Sequence, residues 1–156
     1  MNLASMEIPS VYIETTVVSY LTARPSRDLI VAAHQRITLE WWKTALPRCR
    51  AFVSPIVIQE ASRGDPNAAR RRLESIADFP VLEVTEDVNA LAGEYFARTR
   101  IPEKARADTF HLSLATLHGM DYLLSWNFTH ILGRTVRRIV QGINTILCLF
   151  LAQLRK

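Results

Sequence analysis

The chain's 156 residues, 49% of them hydrophobic and 22% charged, fit one globular domain with a core of its own. A net charge of +4 with a pI of about 9.4 leans the surface toward polyanions such as nucleic acid. The apolar tail run Ile146 to Ala152 is far short of the about 20 residues a membrane span needs, the N-terminus lacks a signal-peptide pattern, and the cysteines, Cys49 and Cys148, lack paired zinc-ligand spacing, so a chain of the reducing cytoplasm with no membrane contact is expected.

In chain order, "SVYI" predicts a first strand over Ser10 to Ile13, followed by a helix from Thr16 to Leu21. A second helix follows "ARPSRD", with Ile30, Ala33, Ile37, Trp41 and Ala45 recurring as one apolar face. Trp41 and Trp42 are adjacent, so one is expected in the core and the other at its edge. "AFVSP" reads as strand two running into a helix capped by Ser54 with Pro55 as its first residue, and Asp65 with Pro66 restarts a helix in the same way. "FPVLEVT" predicts strand three. Val88, Leu91, Ala92, Tyr95 and Phe96 predict a strongly amphipathic helix, and "EKARADTFHLSLATLHG" a further helix stopped by Gly119. "MDYLLSW" reads as strand four and "TVRRIVQG" as a short helix. The run "NTILCLFL" fits a fifth strand or a terminal helix equally by its period. Strands alternating with helices predict an α/β fold with a parallel sheet.

Four polar groups interrupt these apolar segments. Glu14 ends strand one, Glu60 lies in the helix after strand two, Asp108 opens the helix before strand four, and Asn127 follows strand four. In a parallel sheet these positions gather outside the carboxyl ends of the strands. Three clustered carboxylates repel one another and call for a cation or a proton, and an all-oxygen set suits Mg²⁺ or Mn²⁺. Alone, Glu60 reads as a solvated charge, Asp108 as a helix-start acid and Asn127 as a turn residue, while Glu14 stands out by ending an apolar strand; the four together carry the reading.

The stretches "VYIETTVVSYL", "SPIVIQEASRGD" and "ADTFHLSLATLHGMDYLLSWNFTHI", in this order and spacing, resemble the PIN-domain family, closest to the VapC-type toxins of bacterial toxin–antitoxin pairs. The resemblance covers residues 8–142 of a single domain spanning 1–156 and fades over 143–156. It implies a three-layer α/β/α sandwich with a central, mostly parallel sheet of four or five strands. It also implies a Mg²⁺- or Mn²⁺-dependent endoribonuclease, with an RNA substrate, a small antitoxin and a homodimer as partners. By the same resemblance Glu14, Glu60, Asp108 and Asn127 are the catalytic positions, with Glu14, Asp108 and Glu60 on the metal. Thr15 and Thr16 would bind a ligating carboxylate or a water on the cation. Two positions depart from the family pattern, since Glu14 and Asn127 both stand where Asp is usual. Three carboxylates still suffice for one Mg²⁺, which keeps several waters.

Hydrolysis is expected through an activated water rather than a protein nucleophile. Arg24, Arg106 and Arg134 are expected near the rim as phosphate contacts. His111, one helical turn after Asp108, reads as a core or supporting histidine, while His118 and His130 show no ligand spacing with it, and Arg70, Arg71 and Arg72 read as a solvated helix face. Tyr20, Leu21 and one of the paired tryptophans are the expected partner surface. The alternative is a degenerate PIN module that binds RNA or protein without cutting. A dinucleotide-binding fold is excluded by the lack of a glycine-rich turn after strand one.

Overall fold

The structure, a computed structural model, describes residues 8–131, 133–139 and 141. Strand β1 (Ser10–Ile13) is buried along its length, so both of its faces are covered. It pairs in parallel with β2 (Arg50–Phe52) on one side and β3 (Tyr122–Leu124) on the other, giving the order β2-β1-β3. Between β1 and β2 run helices α1 (Thr15–Thr22) and α2 (Leu29–Thr44). Between β2 and β3 run α3 (Pro55–Ala61), α4 (Pro66–Ile76), α5 (Glu86–Thr99) and α6 (Ala107–Leu117). Residues 134–139 are helical again. Helix α1 packs on α2, α3 and α4, while α5 packs on α6, which in turn meets β3. The fold is α/β and compatible with helix layers on either side of the sheet. No helix among the described residues is long and apolar enough to cross a membrane.

The sheet has three strands among the described residues, not four or five. Expected strand three shrinks to a single parallel bridge between Val53 and Val81, held by Val53 N–H on Pro80 O (3.1 Å) and Leu82 N–H on Val53 O (2.8 Å). The physical reason is the neighbour. Beyond Val53 the chain turns at the Ser54 cap into α3, so nothing extended remains for Leu82 to Val84 to pair with. The "NTILCLFL" expectation lies outside the described residues.

Local end signals are realised where they were read. Ser54 Oγ accepts Val57 N–H, Asp65 accepts Ala68 N–H, and Pro55 and Pro66 fill the first helical positions, where a missing N–H costs nothing. After α6, Gly119 takes φ +62°, a left-handed conformation glycine adopts without strain. Asp28 caps α2 with two bonds, to Ile30 N–H and Val31 N–H, each 2.9 Å. Asp28→Ala is therefore expected to lose about 1 kcal/mol in urea unfolding. An unchanged midpoint would show that the cap is not carrying α2.

Helix α2 does not bury the face its period suggests. Ile30 is 69% and Ile37 54% exposed, and the side chain it buries is Thr38, which accepts the Trp126 indole N–H at 2.8 Å. Trp41 and Trp42 do not divide between core and edge either; both are half-buried against the main core, Trp42 beside Phe79. The packed face of α2 is thus mixed polar and aromatic, turned toward α1 and the end of β3. Arg71 and Arg72 also depart from a solvated face. Arg71 Nε–H donates to Thr22 O, Arg72 Nε–H to Ala61 O (2.9 Å), and only Arg70 stays at the surface, near Glu74.

Candidate metal centre

Glu14 sits at the N-cap of α1, where β1 ends, and is buried. Its charge is met by donors from two elements. Oε1 accepts Thr16 N–H (3.1 Å), and Oε2 accepts the Thr16 hydroxyl (2.5 Å) and the Ser125 hydroxyl (2.8 Å). Thr16 Oγ1 in turn accepts Trp126 N–H, tying the end of β3 to the start of α1. A carboxylate ending an apolar strand is thereby stabilised by charge-assisted hydrogen bonds.

Glu60 arrives from the last turn of α3. Its Oε2 accepts the Thr15 hydroxyl and lies 3.1 Å from His111 Nε2. Burial works against the charged form, yet the His111 hydrogen bond and charge, the Thr15 hydroxyl and the Arg63 guanidinium together hold its pKa below the ordinary 4.5. A depressed folded-state pKa adds stability that is present above the unfolded value and lost as pH falls through the folded one. Unfolding measured in chelator should therefore show stability falling as pH drops below about 4.5. Glu60→Gln should make that fall shallower, and equal slopes in the two proteins would contradict the assignment.

His111, on α6, is completely buried. Its Nδ1 is 2.7 Å from the Tyr12 hydroxyl, which is 2.8 Å from Ser54 Oγ, and its Nε2 is 4.0 Å from Glu14 Oε1. Glu14, Glu60 and His111 each offer one ligand atom, all within 4.8 Å of one another. His111 is the core and supporting histidine expected, and its Nε2 also faces both glutamates. Tyr12, buried in β1, needs a partner for its hydroxyl, but nothing in the sequence names His111 as that partner.

Asp108, in the first turn of α6, lies outside this tight group but lines the same cavity, of about 630 Å³, with Glu14, Thr15, Thr16, Glu60 and Asn127. Asp108 Oδ2 is 3.0 Å from His130 Nδ1. Asn127 Oδ1 accepts His130 N–H (2.9 Å), so its amide organises the turn after β3 while facing the cavity. The chain thus brings all four expected positions and both threonines to one concavity.

The arginines divide. Arg63 lines the cavity and was not singled out from the sequence. Arg24 lies in an adjoining concavity with Asn67, Arg71 and Arg72, which shares Ser19 and Ala23 with the first. Arg106 is engaged elsewhere, paired with Glu103 (2.8 and 3.0 Å) and stacked 4.0 Å over Phe96. Arg134 is exposed at the start of the helical residues 134–139.

The donor set fits a divalent cation. Among the described residues none donates to Glu60 Oε1 or Asp108 Oδ1, and Glu14 Oε1 accepts only the Thr16 amide, so each acid keeps lone pairs for a ligand. Glu14, Glu60 and His111 lie close enough together to share an ion, and Asp108 lines the same cavity. Comparison with protein-family models, with curated proteins and with solved structures gave no match.

Proposed function

We propose that this protein is a metal-dependent endoribonuclease of the PIN type, hydrolysing RNA phosphodiesters with Mg²⁺ or Mn²⁺ in the cytoplasm, as the toxin of a bacterial toxin–antitoxin pair. The observation that carries the reading is the convergence of Glu14, Glu60 and Asp108, from β1, α3 and α6, on one cavity with lone pairs to spare. A bound cation lowers the pKa of a water and offsets the charge that builds on the phosphate. The rest falls to the chain. Thr16 and Ser125 keep Glu14 in place, Thr15 and His111 keep Glu60 in place, and Arg63 and Arg24 offer cationic contacts for the flanking phosphates.

Mixed cellular RNA incubated with the protein and Mg²⁺ or Mn²⁺ is expected to be cut, and cutting is expected to stop in chelator. Cleavage that survives chelation would sink the mechanism. Intact RNA in the presence of metal would favour the binding module that does not cut.

The partner surface in this reading lies on α2, displaced from the expected Tyr20 and Leu21, which are half-buried. Leu29, Ile30, Ile37 and Phe128 are exposed there, beside an apolar hollow lined by Ile37, Trp41, Leu124 and Trp126. Exposed apolar side chains beside an apolar hollow suit a second copy of the chain or a small antitoxin. Sedimentation should give a dimer that Ile30→Asp with Ile37→Asp converts to monomer. A wild-type chain that stays monomeric at high concentration would remove the dimer from the account.

A further inference from the structure

We propose that His111 Nε2 is itself a metal ligand, so that the site prefers a divalent transition cation such as Mn²⁺ over Mg²⁺. The inference rests on reading the carboxylate cavity as a cation site and adds its ligand set and selectivity.

The first argument is distance. Two ligand atoms about 2.1 Å from a shared ion lie at most about 4.2 Å apart. His111 Nε2 is 3.1 Å from Glu60 Oε2 and 4.0 Å from Glu14 Oε1. Both separations fall within that reach, and the three ligand atoms all lie within 4.8 Å of one another.

The second argument is the far side of the ring. A ligating histidine anchors its other nitrogen on a hydrogen-bonding group, which fixes both ring orientation and tautomer. His111 Nδ1 has such an anchor in the Tyr12 hydroxyl at 2.7 Å, itself held by Ser54 Oγ at 2.8 Å, and Ser54 is fixed as the N-cap of α3. A ring that ligates a metal is neutral and carries one proton. On Nε2 it bridges directly to Glu60. On Nδ1 it bridges to Tyr12, whose own proton then points to Ser54. Nε2 and Glu60 Oε2 are then two lone pairs 3.1 Å apart, which attract each other only across a cation. The buried chain thus has a tautomer that closes the site with a proton and one that opens it to a metal.

The third argument is ligand chemistry. Imidazole nitrogen suits first-row transition cations, whereas Mg²⁺ takes oxygen ligands and gives up its waters reluctantly. An imidazole in the set therefore shifts preference toward the transition ion.

The test is Mn²⁺ titrated into the full chain and followed by electron paramagnetic resonance, with pulsed detection of ¹⁴N coupling and Mg²⁺ competition. Expected results are a coordinated-nitrogen signal in wild type and Mn²⁺ binding at least about tenfold tighter than Mg²⁺. His111→Gln should lose the nitrogen signal and weaken Mn²⁺ at least about tenfold, more than it weakens Mg²⁺. Because the nitrogen signal is read on the wild-type chain, the test does not depend on the variant's folding. Bound Mn²⁺ without nitrogen coupling, or equal affinity in wild type and His111→Gln, would overturn the inference and leave the carboxylate site standing. No Mn²⁺ binding at millimolar metal would overturn both.

Discussion

Asp108→Asn is expected to lower RNA cleavage at least about 100-fold while the protein stays folded. Asn keeps the shape of the side chain and an oxygen for His130 Nδ1, now 3.0 Å from Asp108 Oδ2. It loses the negative charge, and a neutral amide is a much poorer partner for a hard cation. Stability should move by less than about 1 kcal/mol, because two effects oppose each other. A charge favoured in the first turn of α6 is lost, and repulsion with Glu14 and Glu60 is relieved. Asn127 gives the contrast. Its Oδ1 already serves His130 N–H, so Asn127→Ala should hurt less, and Asn127→Asp should raise activity by adding a fourth acid that can still accept that bond. Single-turnover cleavage of one RNA by the three variants measures this order. Wild-type rates in Asp108→Asn would remove Asp108 from the machinery.

Tyr12→Phe is expected to cost about 1–3 kcal/mol in urea unfolding, the loss attached to leaving buried polar groups unmatched. Burial, reinforced by the nearby Glu14 and Glu60 charges and only partly opposed by Ser54, pushes the Tyr12 phenol far above its ordinary range, so it stays a neutral hydroxyl. Removing it strands His111 Nδ1 in a completely buried ring and takes from Ser54 its side-chain partner, leaving Ser54 the Val57 amide. The strand itself keeps its apolar packing, so the denaturant slope should be unchanged. A loss under about 0.5 kcal/mol would mean that the Ser54–Tyr12–His111 chain is energetically slack.

What the sequence discloses here follows how far each signal reaches. Strand β1, the caps at Ser54 and Asp65 and the stop at Gly119 are set by neighbours along the chain, and they fall where local rules place them. The face of α5 is also legible, because Val88, Leu91, Ala92 and Tyr95 share the buried side of a helix that packs on α6. The side of α2 that packs is not legible. Its period marks a helix but does not say whether Ile30 and Ile37 or Thr38 turns inward, since that depends on where Trp126 comes to rest. "FPVLEVT" has strand composition, but a strand needs a partner, and β2 has already become α3. At the site, the meeting of Glu14, Glu60 and Asp108 follows from parallel-sheet topology. The position of His111 between two of them depends on the rotation of α6 over β1, a tertiary quantity that spacing alone does not carry.

The proposed function stands on these side chains forming one divalent-cation site. Anomalous diffraction from crystals soaked in Mn²⁺ tests it most directly. The expected result is an anomalous peak about 2.2 Å from an oxygen of Glu14 and an oxygen of Glu60, inside the cavity that Asp108 and Asn127 also line. A cavity without a peak in crystals that take up Mn²⁺ elsewhere on the molecule would contradict it.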